Sequence, residues 1–331
     1  MAAATSIVAS CSAGDGGTGA AAIAPENTAA TTAVSGTVAI ATAPPSTLPT
    51  TSAPAPTTTV LAGPPARIEP PTDATGFATA FDAAQRMIVD PASDAAAVEA
   101  AGQQLQLLLR SLADRPELDE QVVLALSDDV RTIIEPIIRA RQFLQARSAA
   151  DTTPTPPSPT LPAWTIRAPE PIDVLRGYYD EAEQLTGVPW YWLAAINLQE
   201  TRMGRIDGVS SAGAVGPMQF LPTTWAECCT GDPTVTRDAI IGAATYLAQS
   251  GAPGDMQAAV YQYNPNDSYV AIVTAYAETL RDQPAMYAGY HAFQVFAGSA
   301  AGTVRLPIGY SQTAPVDAAT YRSEHPDDIA S

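Results

Sequence analysis

The chain has 331 residues, with 34 acidic residues against 16 basic ones, all arginine, and a formal net charge of −18. That balance excludes a nucleic-acid binder, which needs a basic face to displace phosphate counterions, and a polybasic membrane-surface protein. Three cysteines (Cys11, Cys228, Cys229) and two histidines (His291, His325) leave no disulfide scaffold, no Cys–X–X–Cys metal pattern and no ordinary Ser–His–Asp triad in view.

Residues 1–75 are dominated by Ala, Thr, Pro and Ser, and no aromatic residue precedes Phe77. Such a stretch has almost nothing to bury against its ordering entropy and is expected to be a disordered tether. Within it, Val8-Ala9-Ser10-Cys11 resembles a bacterial lipobox, in which the cysteine is lipidated. Ten residues precede Cys11 and none is basic, so the tetrapeptide is either the end of a truncated lipoprotein signal or a chance match. A lipid on Cys11 is the sole membrane attachment the chain offers, because no apolar run approaches the ~18 residues of a span.

Residues 76–148 have helical texture, and two to four helices in a small bundle are expected, as a structural or spacer segment. Asp90-Pro91 reads as an N-cap followed by proline at the first helical position. Ala92 to Ala113 then carries Val98, Leu105, Leu108, Leu109 and Leu112 at mostly helical spacing. After a break at Arg115-Pro116 a further helix through Ile133, Ile134, Ile137, Ile138 and Leu144 is expected, with Ser127 or Asp128 capping its second half and a kink or restart at Pro136. Residues 149–163 form a Pro-rich linker.

Residues 164–285 are the best candidate for a compact mainly α domain. Helices are predicted over 171–186, 189–203, 222–229, 237–250, 255–263 and 267–281, with Asp255 and Asp267 as caps and Gly251 just past a helix end. The tail, 286–331, has β texture around a Gly/Ser/Ala turn and is predicted to hold a hairpin. Cys228-Cys229 is either a vicinal disulfide or a pair of buried thiols, structural rather than redox-active, since no basic residue adjoins it.

The chemistry concentrates after Pro189. Leu193, Ile196 and Glu200 fall at i, i+3 and i+7, so Glu200 continues an apolar stripe to a helix end near Gly204. Partial burial and the negative helix terminus both push its pKa upward, toward an acid still protonated near neutrality. Protonating a glycosidic oxygen requires such an acid. Arg202 and Arg205 oppose this if they point at Glu200. Gly213 and Gly216 bracket a tight segment, and Met218 and Gln219 offer an adaptable apolar surface and an amide suited to a sugar. Tyr263 also projects from a helix end; on its own it reads first as a core tyrosine with a satisfied hydroxyl.

These blocks resemble the bacterial lytic transglycosylases with a soluble-type, lysozyme-like (goose-type-related) catalytic domain. That family shows a helix-terminal Glu, then S-x-x-G-A-x-G-x-M-Q-x-x-P-x-T, then a Tyr-Asn pair. The matching positions are Glu200, the run from Ser210 through Gly213, Gly216, Met218, Gln219 and Pro222 to Thr224, and Tyr263-Asn264. Thr201 stands where the family often has Ser, and Pro217 where Leu is usual.

The resemblance extends over roughly 170–285 and implies a lysozyme-like fold acting on peptidoglycan glycan strands without a cofactor. It implies that Glu200 first protonates the oxygen between N-acetylmuramic acid and N-acetylglucosamine. Glu200 then deprotonates the muramyl C6 hydroxyl, leaving a 1,6-anhydro end. Ser210, Met218, Gln219, Tyr263 and Asn264 would contact substrate, with Met218 and Gln219 lining the groove and Tyr263 hydrogen-bonding beside the catalytic carboxyl. Ordinary glycosidases need a second carboxylate; between Gly208 and Ala226 there is none, and Asp207 is the nearest candidate. The alternatives are a hydrolytic muramidase with Asp207 as base and a non-catalytic glycan-binding module, against which the intact Glu200 argues.

Overall fold

The computed structural model describes residues 70–150 and 156–328, which are mainly helical. Cys11 and nearly all of the expected tether lie outside the described residues. In chain order the helices are α1 (Ala74–Val89), α2 (Ala95–Ala113), α3 (Asp119–Ala125), α4 (Asp128–Ala150), α5 (Ile172–Thr186), α6 (Trp190–Thr201), α7 (Pro222–Cys228), α8 (Thr236–Gln249), α9 (Met256–Tyr263), α10 (Asp267–Asp282), α11 (Met286–His291) and α12 (Ala318–Glu324).

Capping chemistry sets the boundaries and corrects two sequence expectations. Asp90 does not open α2. It closes α1, its N–H reaching the Arg86 carbonyl, while its carboxylate takes the Ala92 N–H in a local turn. Asp94 caps α2 instead, accepting the Ala97 N–H at 2.8 Å. Asp255 caps α9 as expected. At α10 the cap is Asn266 rather than Asp267: its side-chain oxygen accepts from the N–H groups of Ser268 and Tyr269. In α4 the helix runs through Pro136 without a restart. Ile133, Ile134, Ile137 and Ile138 are all buried on either side of the proline, and their packing holds the helix across the missing hydrogen bond.

Residues 192–198 of α6 are buried without interruption, so this helix is enclosed on every side rather than striped. That makes it the central element. α10 packs against it and also against α4, while α11 packs on α2 and α5 on α8. Phe77, Leu105 and Ile134 from the first helices join Leu193, Val273 and Tyr290 in one continuous core. Within the first helices an ion pair between Asp119 and Arg141 is itself buried.

A smaller β-stranded flank sits beside the helices. β1 (Thr160–Leu161), β2 (Thr165–Ile166), β3 (Ile206–Asp207), β4 (Val295–Ser299), β5 (Gly302–Leu306) and β6 (Val316–Asp317) form three antiparallel pairs, β1–β6, β2–β3 and β4–β5. β4 and β5 are the hairpin predicted in the tail. Leu161, Ile166, Ile206, Val295, Val304 and Leu306 make a second, separate apolar cluster under these strands. Cys228 and Cys229 are joined as a vicinal disulfide at the end of α7.

Candidate active site

The end of α6 is an unusual piece of backbone. Arg202, Met203 and Gly204 follow one another at positive φ (56°, 61° and 81°). Among the described residues the non-glycine positions in this left-handed region are Arg202, Met203 and Gln219, all beside the same site. Such conformations cost on the order of 1–3 kcal/mol each and persist where neighbours over-determine them. The restraints are visible. The hydroxyl of Thr201 donates to the Pro217 carbonyl at 2.6 Å and accepts the Gly204 N–H at 3.0 Å. The amide of Asn197, fully buried, donates to the same Pro217 carbonyl at 2.8 Å and accepts the Tyr179 hydroxyl at 2.7 Å. The departure at position 201 thus keeps the hydroxyl, and the hydroxyl ties the helix end to the loop over 210–220.

Glu200 lies in the last turn of α6, half-buried. The Tyr269 hydroxyl, from the first turn of α10, donates to its Oε1 at 2.6 Å. Burial pushes the carboxyl up to about 7, against the opposing pull of that hydrogen bond and of the Arg202 charge. Arg202 is buried, and its guanidinium donates to the carbonyls of Leu198 and Gln199, capping the α6 C-terminus from behind. Arg205 is not among the groups that shift Glu200; burial lowers its own pKa to about 10, against the opposing pull of the Glu99 charge. A group that is half protonated near neutrality and still partly open to solvent can both give and take a proton.

The remaining predicted positions divide. Tyr263 does not bond the carboxyl: its hydroxyl donates to the Met218 carbonyl at 2.5 Å, and its ring packs in an aromatic cluster with Phe220 and Tyr246. It stands close enough for the Glu200 charge to raise its pKa, after burial. The contact with the acid falls to Tyr269, six residues on, which the motif comparison missed. The signal available was the Asn266 cap, which starts α10 and sets Tyr269 on its first turn.

Met218 is fully buried and joins the core, so its side chain does not line a groove; its backbone carbonyl is what the site uses. Gln219 is half-buried, and its amide donates to the carbonyls of Gly216 (2.9 Å) and Gly208 (3.4 Å). Ser210 folds the loop, its Oγ accepting the Ala214 N–H at 3.0 Å. Asn264 ends α9, half-buried beside Tyr263, with its backbone N–H on the Val260 carbonyl.

Gly216 is required for close approach: a Cβ there would lie 1.8 Å from the Pro233 carbonyl oxygen, and its φ is +76°. Asp207 is on β3, exposed and ion-paired with Arg167. No group of three or more His, Cys, Asp or Glu residues able to hold a metal occurs among the described residues, and no helix there is long and apolar enough to cross a membrane.

Comparison with known proteins gives one partial likeness. Over 82 residues the chain is 35% identical to a protein named membrane-bound lytic murein transglycosylase F from Thiobacillus denitrificans (strain ATCC 25259 / T1). The match covers 25% of this chain and 17% of that relative's length. No family model and no solved structure matches the chain.

Proposed function

We propose that the chain is a peptidoglycan lytic transglycosylase of lysozyme-like fold, with Glu200 as its single acid/base. The observation that carries this is the state of Glu200: a partly open carboxyl pushed up to about 7, hydrogen-bonded by Tyr269. The nearest candidate partner, Asp207, is engaged by Arg167. The partial likeness to a named murein transglycosylase supports the substrate class.

In the proposed reaction Glu200 gives its proton to the oxygen bridging N-acetylmuramic acid and N-acetylglucosamine, and the C1–O bond breaks. The carboxylate left behind then takes the proton of the muramyl C6 hydroxyl, whose oxygen closes on C1. The proton returns to Glu200, the product is a 1,6-anhydro end, and neither water nor a cofactor is consumed. Ser210, Gln219 and Asn264 are the proposed polar contacts for the sugar. Tyr263 and the Met218 carbonyl brace the wall behind them. The site of action is the cell envelope outside the cytoplasmic membrane, with Cys11 as the anchor if it is lipidated.

Mass spectrometry of peptidoglycan digested by the full chain tests this directly, since anhydro and reducing ends differ by one water. Anhydro ends are expected. Glu200→Gln, which keeps the shape but cannot cycle a proton, should lose at least ~10²-fold of the cleavage rate. Reducing ends that vanish in Asp207→Asn would establish the muramidase alternative instead. Binding without cleavage by the wild type would mark a glycan-binding module.

A further inference from the structure

Trp164 precedes the helices that carry the acid, and its motif neighbours give it no role. The structure gives it a place. The indole lies against Gly208 so closely that a Cβ on that glycine would fall 2.2 Å from the ring Cδ1. The carbonyl of Gly208 is the one that accepts the Gln219 amide. Trp164, Gly208 and Gln219 therefore form a contiguous row leading to the Met218 carbonyl, Tyr263 and Glu200.

The ring is held firmly in that row. Its backbone carbonyl accepts the Gln312 N–H at 3.0 Å, and the next residue, Thr165, pairs with Asp207 on one side and Ser311 on the other. One edge packs on the small apolar cluster of the flank, leaving the side chain half-buried. The indole N–H has no hydrogen-bond partner among the described residues and is not sealed from solvent.

An anchored, part-exposed aromatic face with an open donor is what a pyranose ring asks for, with its apolar C–H face and its polar rim. We propose that Trp164 is a glycan-stacking subsite, binding a β-1,4-linked N-acetylhexosamine unit away from the scissile bond. It is supplied to the site by the residue that leads into β2 rather than by the acid-bearing helices. The subsite rests on the function proposed above and adds to it a preference for longer strands.

The test uses the full chain and uncrosslinked glycan strands of graded length. Trp164→Ala should raise KM about tenfold on long strands, the scale of one lost aromatic contact, with the penalty shrinking as strands shorten. Trp164→Phe keeps a ring and the packing against the flank and should fall between Ala and wild type. Gly208→Ala displaces the indole with the aromatic still present and should move KM in the same direction. In Glu200→Gln, added N-acetylglucosamine oligomers should quench tryptophan emission, and Trp164→Phe should remove most of that quench. An unchanged KM at every length in Trp164→Ala, with the wild type cleaving normally, overturns the subsite alone. A wild type that cleaves no glycan strand overturns the acid assignment at Glu200, and the subsite with it.

Discussion

The end of α6 and the β-stranded flank that meets it at Ile206 are built from different forces. At α6 the polar groups that hold the helix end have specific partners: buried Asn197 and Thr201 share the Pro217 carbonyl, and Tyr269 holds Glu200. In the part of the flank that meets α6, the two-residue strands β2 and β3 are joined by a short ladder and an exposed ion pair, Arg167 with Asp207. A buried hydrogen bond that loses one partner costs the full desolvation of the other, whereas an exposed ion pair is worth little. Damage at the helix end should therefore be expensive and local, and damage at the flank's charged edge cheap.

The sharpest way to break that contrast is at Gly216. A methyl group there meets the Pro233 carbonyl oxygen and the residue keeps φ at +76°, so Gly216→Ala should lower stability by more than ~2 kcal/mol, read as a fall in thermal midpoint. Gly213 has φ at +85° but open space around it, and Gly213→Ala should cost only the backbone share, about 1 kcal/mol. Equal midpoints for the two variants would mean the loop is not packed as described.

Next in size is Thr201→Val, which leaves the Pro217 carbonyl with one donor fewer and the Gly204 N–H without its acceptor. A loss of about 1–3 kcal/mol is expected in denaturant titration, with Thr201→Ser close to wild type.

Tyr269→Phe acts on charge more than on stability. Its hydroxyl donates to the carboxylate and so favours the ionised form; removing it raises the Glu200 pKa further above its present value of about 7. Because the proposed reaction starts from the protonated acid, kcat/KM should fall as pH rises through that pKa. The alkaline limb of the profile should therefore move upward in Tyr269→Phe. A limb that stays put would detach Tyr269 from the acid. Smallest of all should be Asp207→Asn: a stability change within ~0.5 kcal/mol, and anhydro ends still dominant in the digest.

Much of this was legible in the chain. The helices from α5 to α10 follow from apolar spacing and from Pro189, Gly251 and Asp255 at their ends, and Glu200 stands out because it closes such a run. What was not legible depended on contacts between elements. Asp267 and Asn266 are both good caps by residue type, and only the direction in which α10 leaves the turn selects Asn266. The choice between Tyr263 and Tyr269 followed from that same geometry: the first points at a backbone carbonyl and the second at the acid. Met218 looked like a surface contact because methionine is adaptable, yet its neighbours enclose it completely. Asp90 and Asp94 are both local acceptors, and the turn at Pro91 decided which one opens α2. Trp164 carried no signal, since its neighbour across the contact, Gly208, is defined by folding alone.

One feature of the packing bears on modularity. α10 presents Tyr269 to the acid from its first turn and lays its body against α4 as well as α6. α4, before residue 150, is therefore part of the wall behind the contact between Tyr269 and Glu200. A graft that transplanted only 164–285 into another scaffold would carry Glu200 and Tyr269 and leave behind α4, exposing the apolar surface of α10 that packs on it. The heritable unit, in the sense of what must travel together for the site to survive, runs from α1 onward.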